Sequence, residues 1–300
     1  MATWTSALLD KDFVTRLERL ELVSRRVVAG RQKGERRSKR RGQSTEFADY
    51  RPYVAGDDTR FLDWNIYGRL DRLFMRLYEE REDLGLNILI DRSASMAFGD
   101  PDKFLFARRI AASLGYIGLV NQDRVRIGAF SDHLDMVFAP SRGRRQIWRL
   151  LDTLENLSTD TDRITDLTRG CREFSVTQRL SGIVVFISDF FDRGGFEGAL
   201  RYLLSAGPQT EIYVFHILAP QELEPNLVGD LSLVDVEDGV TADVSISRAL
   251  VKNYRQNLNA FRRDIRDYCT QRGMHFVFSS TDVAFDRLIL EHLRRRGLLR

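Results

Sequence analysis

An aspartate and two serines at alternating positions form the strongest candidate for a functional motif in the sequence, Asp91-Arg92-Ser93-Ala94-Ser95. They directly follow a short apolar run, Leu84–Ile90, which is typical of a buried parallel strand. A carboxylate followed by hydroxyls two and four residues later can wrap oxygen ligands around a small hard cation. Mg²⁺ suits such a set, because it binds few protein oxygens and keeps several waters. The alternative local interpretation is an N-cap for the next helix.

Two further segments are predicted to reach the same place. A second carboxylate, Asp189, directly follows the apolar run Ile183–Ser188, and the loop at 159–168 supplies hydroxyls before a helix. Thr165 is the best placed of these, with Thr161 and Thr168 as rivals. Ligands of a doubly wound sheet bind at the carboxyl ends of its strands, where strand order reverses. The sequence therefore predicts a metal site formed by Asp91, Ser93, Ser95, Thr165 and Asp189.

Strand and helix periods alternate from residue 84 onwards, as in an α/β protein. The core strands are predicted at residues 84–90, 125–130, 183–188, 212–218 and 275–279. Leu134–Phe138 follows the second of these closely, which predicts a hairpin partner and thus an antiparallel edge strand. Asp238-Gly239 predicts a hairpin insertion near residues 230–246. The fold class is α/β, with a doubly wound, mostly parallel sheet and helices on both faces.

The first 83 residues have a different character from the predicted core domain of residues 84–300. They contain an amphipathic helix, the basic run Arg25–Arg41, and an aromatic and charged segment with a turn at Gly56-Asp57. Leu73–Glu80 is predicted to be a strand that feeds the core sheet. We interpret residues 1–83 as an N-terminal appendage docked on the core.

The distribution of charged and apolar residues indicates what the protein could bind and where it is located. The 46 basic and 43 acidic residues give a formal charge of +3, too small to indicate a partner. The run Arg25–Arg41 holds nine basic residues and one acid, and is either a solvated connector or a nucleic-acid-binding arm. Aromatic residues do not interleave with it, which argues against base stacking. No apolar run reaches the ~18–20 residues of a membrane span, and the N-terminus is unlike a secretory signal, so we expect a soluble, cytoplasmic protein.

The missing motifs also limit the chemistry. The sequence contains neither a P-loop nor a G-x-S-x-G elbow, which argues against nucleotide hydrolysis by that route and against an α/β-hydrolase. Its histidines show no zinc-type spacing and are predicted to be structural: His133, His216, His275 and His292. Cys171 and Cys269 are predicted to be buried, reduced thiols.

Together, the D-x-S-x-S motif, the loop threonine and the strand-end aspartate resemble the metal-ion-dependent adhesion site of von Willebrand factor A domains. The resemblance is closer still to one bacterial branch, the domain-of-unknown-function-58 family, and it covers about residues 30–290. The residues that carry it before the metal motif are Phe47, Arg51–Tyr53, Gly56–Asp58, Arg60 and Leu62–Trp64.

This resemblance implies a von Willebrand factor A-like core in which Asp91 and Asp189 hold the metal largely through water. The hydroxyls of Ser93, Ser95 and Thr165 would bind it directly, and an acidic residue of a partner would complete the coordination. Mg²⁺ is the expected ion, with Mn²⁺ and Ca²⁺ as alternatives. The sequence departs from the family at Arg163-Ile164, where glycines often precede the loop threonine.

The resemblance further implies a non-enzymatic adaptor that works with a MoxR-type AAA+ ATPase or its client protein in assembling or remodelling protein complexes. One alternative is Mg²⁺-dependent phosphoryl transfer with Asp91 as acceptor. Serines stand at positions 93 and 95, however, where such sites want a second acid. The other alternative is nucleic-acid binding through the run Arg25–Arg41.

Overall fold

A computed structural model describes residues 6–24, 45–54, 57–80, 84–160, 165–177, 182–207, 210–225, 229–234 and 241–300. The chain divides into two compact units, a larger one of residues 1–30 and 84–300 and a smaller one of residues 31–83. The run Arg25–Arg41, Gly56, Thr161, Arg163-Ile164 and the turn at Asp238-Gly239 lie outside the described residues.

The described residues form ten strands and ten helices. The strands are β1 (Thr45–Pro52), β2 (Phe74–Glu80), β3 (Gly85–Asp91), β4 (Arg124–Phe130), β5 (Leu134–Ser141), β6 (Gly182–Ser188), β7 (Thr210–Leu218), β8 (Gly229–Val234), β9 (Thr241–Ile246) and β10 (His275–Ser280). The helices are α1 (Lys11–Leu17), α2 (Trp64–Leu70), α3 (Lys103–Val120), α4 (Ile147–Glu155), α5 (Leu167–Thr177), α6 (Glu197–Ser205), α7 (Pro220–Leu223), α8 (Arg248–Gln271), α9 (Phe285–Arg287) and α10 (Leu293–Arg296).

A six-stranded sheet in the order β10-β7-β6-β3-β4-β5 forms the centre of the larger unit. All neighbouring strands are parallel except β5, which runs antiparallel to β4 at the edge. Every residue of β3, β6 and β7 is buried, as expected of strands covered on both faces. The predicted fold class, an α/β protein with a doubly wound, mostly parallel sheet and an antiparallel edge strand, is confirmed. Strands β8 and β9 form a separate antiparallel hairpin.

Helices cover both faces of this sheet because successive side chains of a buried strand point to opposite sides. Ile88 and Ile90 belong to one apolar cluster, and Leu89 between them belongs to the other. Helix residues of the first cluster include Phe13, Ile110 and Leu150. Those of the second include Phe174, Leu200 and Ile265. No described helix has the length and apolarity needed to cross a membrane.

Helix α1 packs within the larger unit. The rings of Phe13 and Phe285 meet edge to face with centroids 5.4 Å apart. The hydroxyl of Ser6 donates to Glu155 at 2.6 Å just before the helix. The N-terminal segment thus contains a helix that packs within the larger unit.

The smaller unit is an antiparallel pair of strands with a short helix between them. Its second strand, β2, pairs with β1 from Thr45↔Glu80 to Pro52↔Phe74, so the prediction that Leu73–Glu80 joins the core sheet is wrong. Strand β1 is the preceding strand in the chain, and antiparallel pairing with it needs no crossover connection. Ion pairs join Arg51 to Asp57 at 2.7 Å and Arg60 to Asp58 at 2.6 Å. Trp64, at the start of α2, is 63% exposed.

Close backbone contact between two glycines fixes the start of β6 against β3. Gly182 has a φ of +87°, and a Cβ added there would lie 2.4 Å from the carbonyl oxygen of Gly85. We expect Gly182→Ala to destabilise the fold by roughly 2–4 kcal/mol, through both left-handed strain and this clash. Urea unfolding measures the effect. Gly68→Ala, where the added methyl meets nothing within 4 Å, is the control. Equal midpoints for both variants would contradict this account of the strand contact.

Candidate functional site

The candidate site lies where two neighbouring parallel strands end. Ile90 of β3 pairs with Ile187 of β6, which puts Asp91 beside Ser188 and brings Asp189 next to both. Strand order reverses at β3, because β4 lies on one side of it and β6 on the other. Asp91 and Asp189 are each only 1% exposed. The two predicted carboxylates therefore occupy the switch point of the sheet, where ligands of this fold class bind.

Both carboxylate oxygens of Asp91 accept hydrogen bonds from the chain. The Ser93 amide donates to Oδ1 at 2.9 Å, and the Ser188 hydroxyl donates to Oδ2 at 2.6 Å. Burial and the negative charge of Asp189 raise the pKa of Asp91 to about 7, although the bonds from Ser188 and Ser93 act in the opposite direction. Two carboxylates held this close in the protein interior favour a cation or a proton between them.

The two serines of the motif stand together on one turn. The 3₁₀ turn Ala94–Ala97 brings the Ser93 and Ser95 hydroxyl oxygens to 3.0 Å from each other. Ser93 is 1% exposed, whereas Ser95 is half-buried. The pair thus reaches from the buried carboxylates towards the surface.

The described residues on either side of positions 161–164 contact the ends of β3 and β4. The Asp160 amide donates to the Arg92 carbonyl at 2.7 Å, and the Asp166 amide donates to the Ser131 carbonyl at 2.9 Å. Thr165 is buried, at 6% exposure. Thr168 packs in α5 against Gly198 of α6. Asp160 and Asp166 are thus held beside the ends of β3 and β4, and Thr165 as a ligand stays a prediction.

Asp189 is held by a lysine that the sequence did not single out. The Lys103 ammonium donates to Asp189 Oδ2 at 2.6 Å and to Glu222 Oε1 at 2.5 Å, and the Phe191 amide donates to Asp189 Oδ1 at 3.0 Å. Lys103 has no exposed surface. Burial opposes its charge, but the two carboxylates outweigh burial and raise the pKa of Lys103. A lysine that opens a helix ordinarily indicates a solvated surface, so the sequence carried no signal for this role.

An apolar cleft, which we call the aromatic groove, borders the site. It encloses about 690 Å³ between the motif turn and α8, and Ser95 and Glu222 form part of its wall. Its apolar lining is Phe98, Phe190, Phe191, Tyr254, Leu258 and Phe261. Phe98, Phe191 and Tyr254 are 47%, 37% and 39% exposed. Exposed aromatic rings beside a polar site are typical of surfaces that bind another protein.

The donor atoms brought together suit a hard cation. They are carboxylate and hydroxyl oxygens, the ligands that Mg²⁺ prefers, rather than the nitrogen and sulfur donors typical of zinc. In the part of the chain that the structure describes, no three His, Cys, Asp or Glu side chains cluster in a way that could hold a metal ion. A cation here would therefore depend on hydroxyls and water as well as on Asp91 and Asp189.

The chain is similar to one protein family and to several known proteins. A family described as "Protein of unknown function DUF58" matches residues 49–264. An uncharacterized protein of Mycobacterium bovis is 27% identical over 297 residues, covering 97% of this chain and 92% of that protein. The crystal structure of a conserved hypothetical protein, BatB, from Bacteroides thetaiotaomicron aligns with a TM-score of 0.46 at 13% identity, over 71% of this chain and 98% of that one. An aerotolerance-related membrane protein from Bacteroides fragilis aligns at 0.43 and 14%, over 71% and 99%.

His216, next to Ser188 across β6 and β7, is fully buried in the core. Its ring contacts four phenylalanine rings, those of Phe190, Phe261, Phe276 and Phe278, at centroid distances between 5.6 and 6.1 Å. Burial lowers the pKa of His216 from 6.5 to about 3. The side chain is thus neutral at physiological pH.

This burial predicts a pH dependence of stability. The unfolded chain takes up a proton at His216 near pH 6.5, and the folded chain does so only near pH 3. The stabilisation from neutral His216 is therefore complete above pH 6.5 and is lost as the pH falls, by about 2 kcal/mol near pH 5. In urea unfolding between about pH 7 and pH 5, the wild type should lose this much relative to His216→Phe. Asp91 contributes with the opposite sign in both proteins, and parallel pH profiles would contradict the assignment.

Proposed function

The chain belongs to the DUF58 family, and we propose that it is a non-enzymatic interaction module that binds an acidic side chain of a partner protein through Mg²⁺. The proposed ligands are Asp91, Ser93, Ser95, Thr165 and Asp189, with Mn²⁺ and Ca²⁺ as alternative ions. The observation that carries the proposal is the pair of buried carboxylates, Asp91 and Asp189, beside two hydroxyls that reach towards the surface. When bound, Mg²⁺ would supply an open coordination position for a carboxylate oxygen.

The serines and the aspartates have different roles in this proposal. The serine hydroxyls are neutral, so direct ligation by Ser93 and Ser95 would leave most of the charge of the ion uncompensated. Each oxygen of Asp91 and Asp189 already accepts a hydrogen bond, which favours contact with the ion through water. An ion held in this way attracts an external carboxylate.

The aromatic groove supports a protein partner rather than a small free anion. It shares Ser95 with the site, so a segment whose carboxylate reaches the ion would lay its neighbouring side chains on Phe98 and Phe191. Burial of apolar side chains there would add affinity that a free carboxylate lacks. The partner class that we propose, from the family resemblance, is a MoxR-type AAA+ ATPase or its client protein.

The phosphoryl-transfer alternative needs a carboxylate oxygen of Asp91 that is free to attack phosphorus. Both oxygens accept hydrogen bonds, from the Ser93 amide and the Ser188 hydroxyl, and the residue is 1% exposed. The nucleic-acid alternative depends on the run Arg25–Arg41, which lies outside the described residues. The described contacts therefore favour the interaction module.

Metal binding is tested first through thermal stability. We expect millimolar Mg²⁺ to raise the unfolding temperature of the wild type, because an ion that binds only the folded state stabilises it by mass action. Ser93→Ala/Ser95→Ala should abolish this shift. Ser141→Ala/Ser175→Ala, which removes two hydroxyls that bond only local carbonyls, should keep it. Differential scanning calorimetry with Mg²⁺ or EDTA measures the shift, and an equal shift in the two double variants would refute the ligand assignment.

Partner binding is tested with a purified MoxR-type ATPase encoded by the same genome. We expect association in Mg²⁺ that is lost in EDTA and in Ser93→Ala/Ser95→Ala. Phe98→Ser should weaken it by about tenfold without changing the Mg²⁺-induced thermal shift, because the loss falls on the apolar contact. Val176→Ser, at an equally apolar but distant exposed position on α5, should bind normally. Biolayer interferometry gives the affinities, and binding that persists in EDTA would place the interface elsewhere.

A further inference from the structure

Lys103 is the fully buried cation nearest to the candidate metal ligands. It is the first residue of α3, directly after Asp102, whose carboxylate caps the helix by accepting from the Phe104 and Leu105 amides. Its ammonium lies 2.6 Å from Asp189 Oδ2 and 2.5 Å from Glu222 Oε1. A buried ammonium is costly unless it is paired this closely, so its position at the site requires a reason.

The two aspartates of the site are compensated in different ways. Asp91 accepts from neutral donors, the Ser93 amide and the Ser188 hydroxyl, which orient the carboxylate and leave its charge in place. Asp189 accepts one charged donor, Lys103, and its other oxygen is held by the Phe191 amide. The charge of Asp189 is thus offset from within the protein before any ion binds.

Glu222 prevents the ammonium from moving away. It lies on α7, just after β7, and its second oxygen Oε2 accepts the Ala219 amide at 2.7 Å. Lys103 is therefore fixed between two carboxylates on different elements, and it joins α3, the end of β6 and α7 at one point.

We propose that Lys103 is a positioning residue that holds Asp189 back from direct coordination of the metal and thereby limits the affinity of the site for divalent cations. The inference rests on the proposed function, because it concerns the same site. An ion bound there keeps more of its positive charge for the carboxylate of a partner than it would if both aspartates coordinated it. The competing explanation is a purely structural ion pair that fastens α3 to the strand ends.

The test is calorimetric titration of Mn²⁺ into the full chain and its variants. In Lys103→Met, Asp189 is released with an uncompensated charge, so we expect Mn²⁺ to bind at least about tenfold more tightly than in the wild type. Lys103→Arg keeps the charge and should stay near the wild-type affinity. Glu222→Gln keeps Lys103 on Asp189 and should also show no gain. Adding Asp189→Asn to Lys103→Met should remove the gain.

Stability gives a second readout. Lys103→Met should unfold at a lower temperature than the wild type in EDTA, because Asp189 and Glu222 lose their cation, and Mn²⁺ should restore much of the difference. If this variant does not fold in EDTA, the double variant Lys103→Met/Glu222→Gln replaces it, because it leaves fewer uncompensated charges. The same Mn²⁺ titration is then performed on the double variant. A folded variant with unchanged or weaker Mn²⁺ affinity would overturn the proposal and leave a structural ion pair.

The outcomes separate this inference from the proposed function. A wild type that binds Mn²⁺ together with a Lys103→Met variant of equal affinity would overturn only the role of Lys103. A wild type that binds no Mn²⁺ together with a variant that does would overturn the proposed function and support the inference. Failure of both proteins to bind would overturn both.

Discussion

Two carboxylates buried at the ends of adjacent parallel strands are the constraint on which the rest of the site depends. Asp91 and Asp189 are each 1% exposed, and the negative charge of Asp189 adds to burial in raising the pKa of Asp91. Water cannot solvate them, so the surrounding chain must compensate the charge. A hydroxyl and an amide do so at Asp91, and an ammonium and an amide do so at Asp189. Among the described residues a cation pairs with Asp189 and neutral donors hold Asp91, so the two carboxylates differ in how much of their charge is compensated.

The sheet holds these carboxylates together through backbone contacts. Parallel pairing of β3 with β6 fixes which residues share the edge, and the approach of Gly182 to Gly85 fixes where the pairing starts. Loop contacts then act on the surface side, where the Asp160 amide bonds the Arg92 carbonyl within the metal motif. The Arg92 guanidinium also lies 3.0 Å from Asp135 and 3.5 Å from Asp160. Strand register thus sets the position of the site, and the contacts of Arg92 hold Asp160 beside it.

The features of the fold that could be predicted from the sequence are those that local patterns encode. Apolar runs, caps and turns are local, and they predicted the sheet, the antiparallel edge strand and the strand-end aspartates. The Lys103–Asp189 contact joins residues that are 86 positions apart, and the Ser188–Asp91 hydrogen bond joins residues that are 97 positions apart. Local patterns therefore cannot predict either contact. The partner of β2 was missed for a related reason, because an amphipathic strand pattern predicts a strand and does not say which sheet it joins. Trp64 shows that an aromatic residue at a helix start does not by itself predict burial.

Access decides which kind of chemistry the site can support. The carboxylates lie beneath the surface, and Ser95 is the half-buried member of the motif that also borders the aromatic groove. A ligand that arrives from this side meets the Ser95 hydroxyl and the exposed rings, on a wall that also carries Asp192, Arg193 and Glu222. The nearest imidazole, His216, lies behind Phe190 with a pKa lowered by burial to about 3, so it holds no proton to exchange at neutral pH. Asp91 is the titrating group of the site, because burial and the charge of Asp189 raise its pKa to about 7, and its two oxygens accept hydrogen bonds from the Ser93 amide and the Ser188 hydroxyl. An arrangement that offers oxygen ligands below the surface and an apolar surface beside them suits the proposed role of holding a partner's side chain in place.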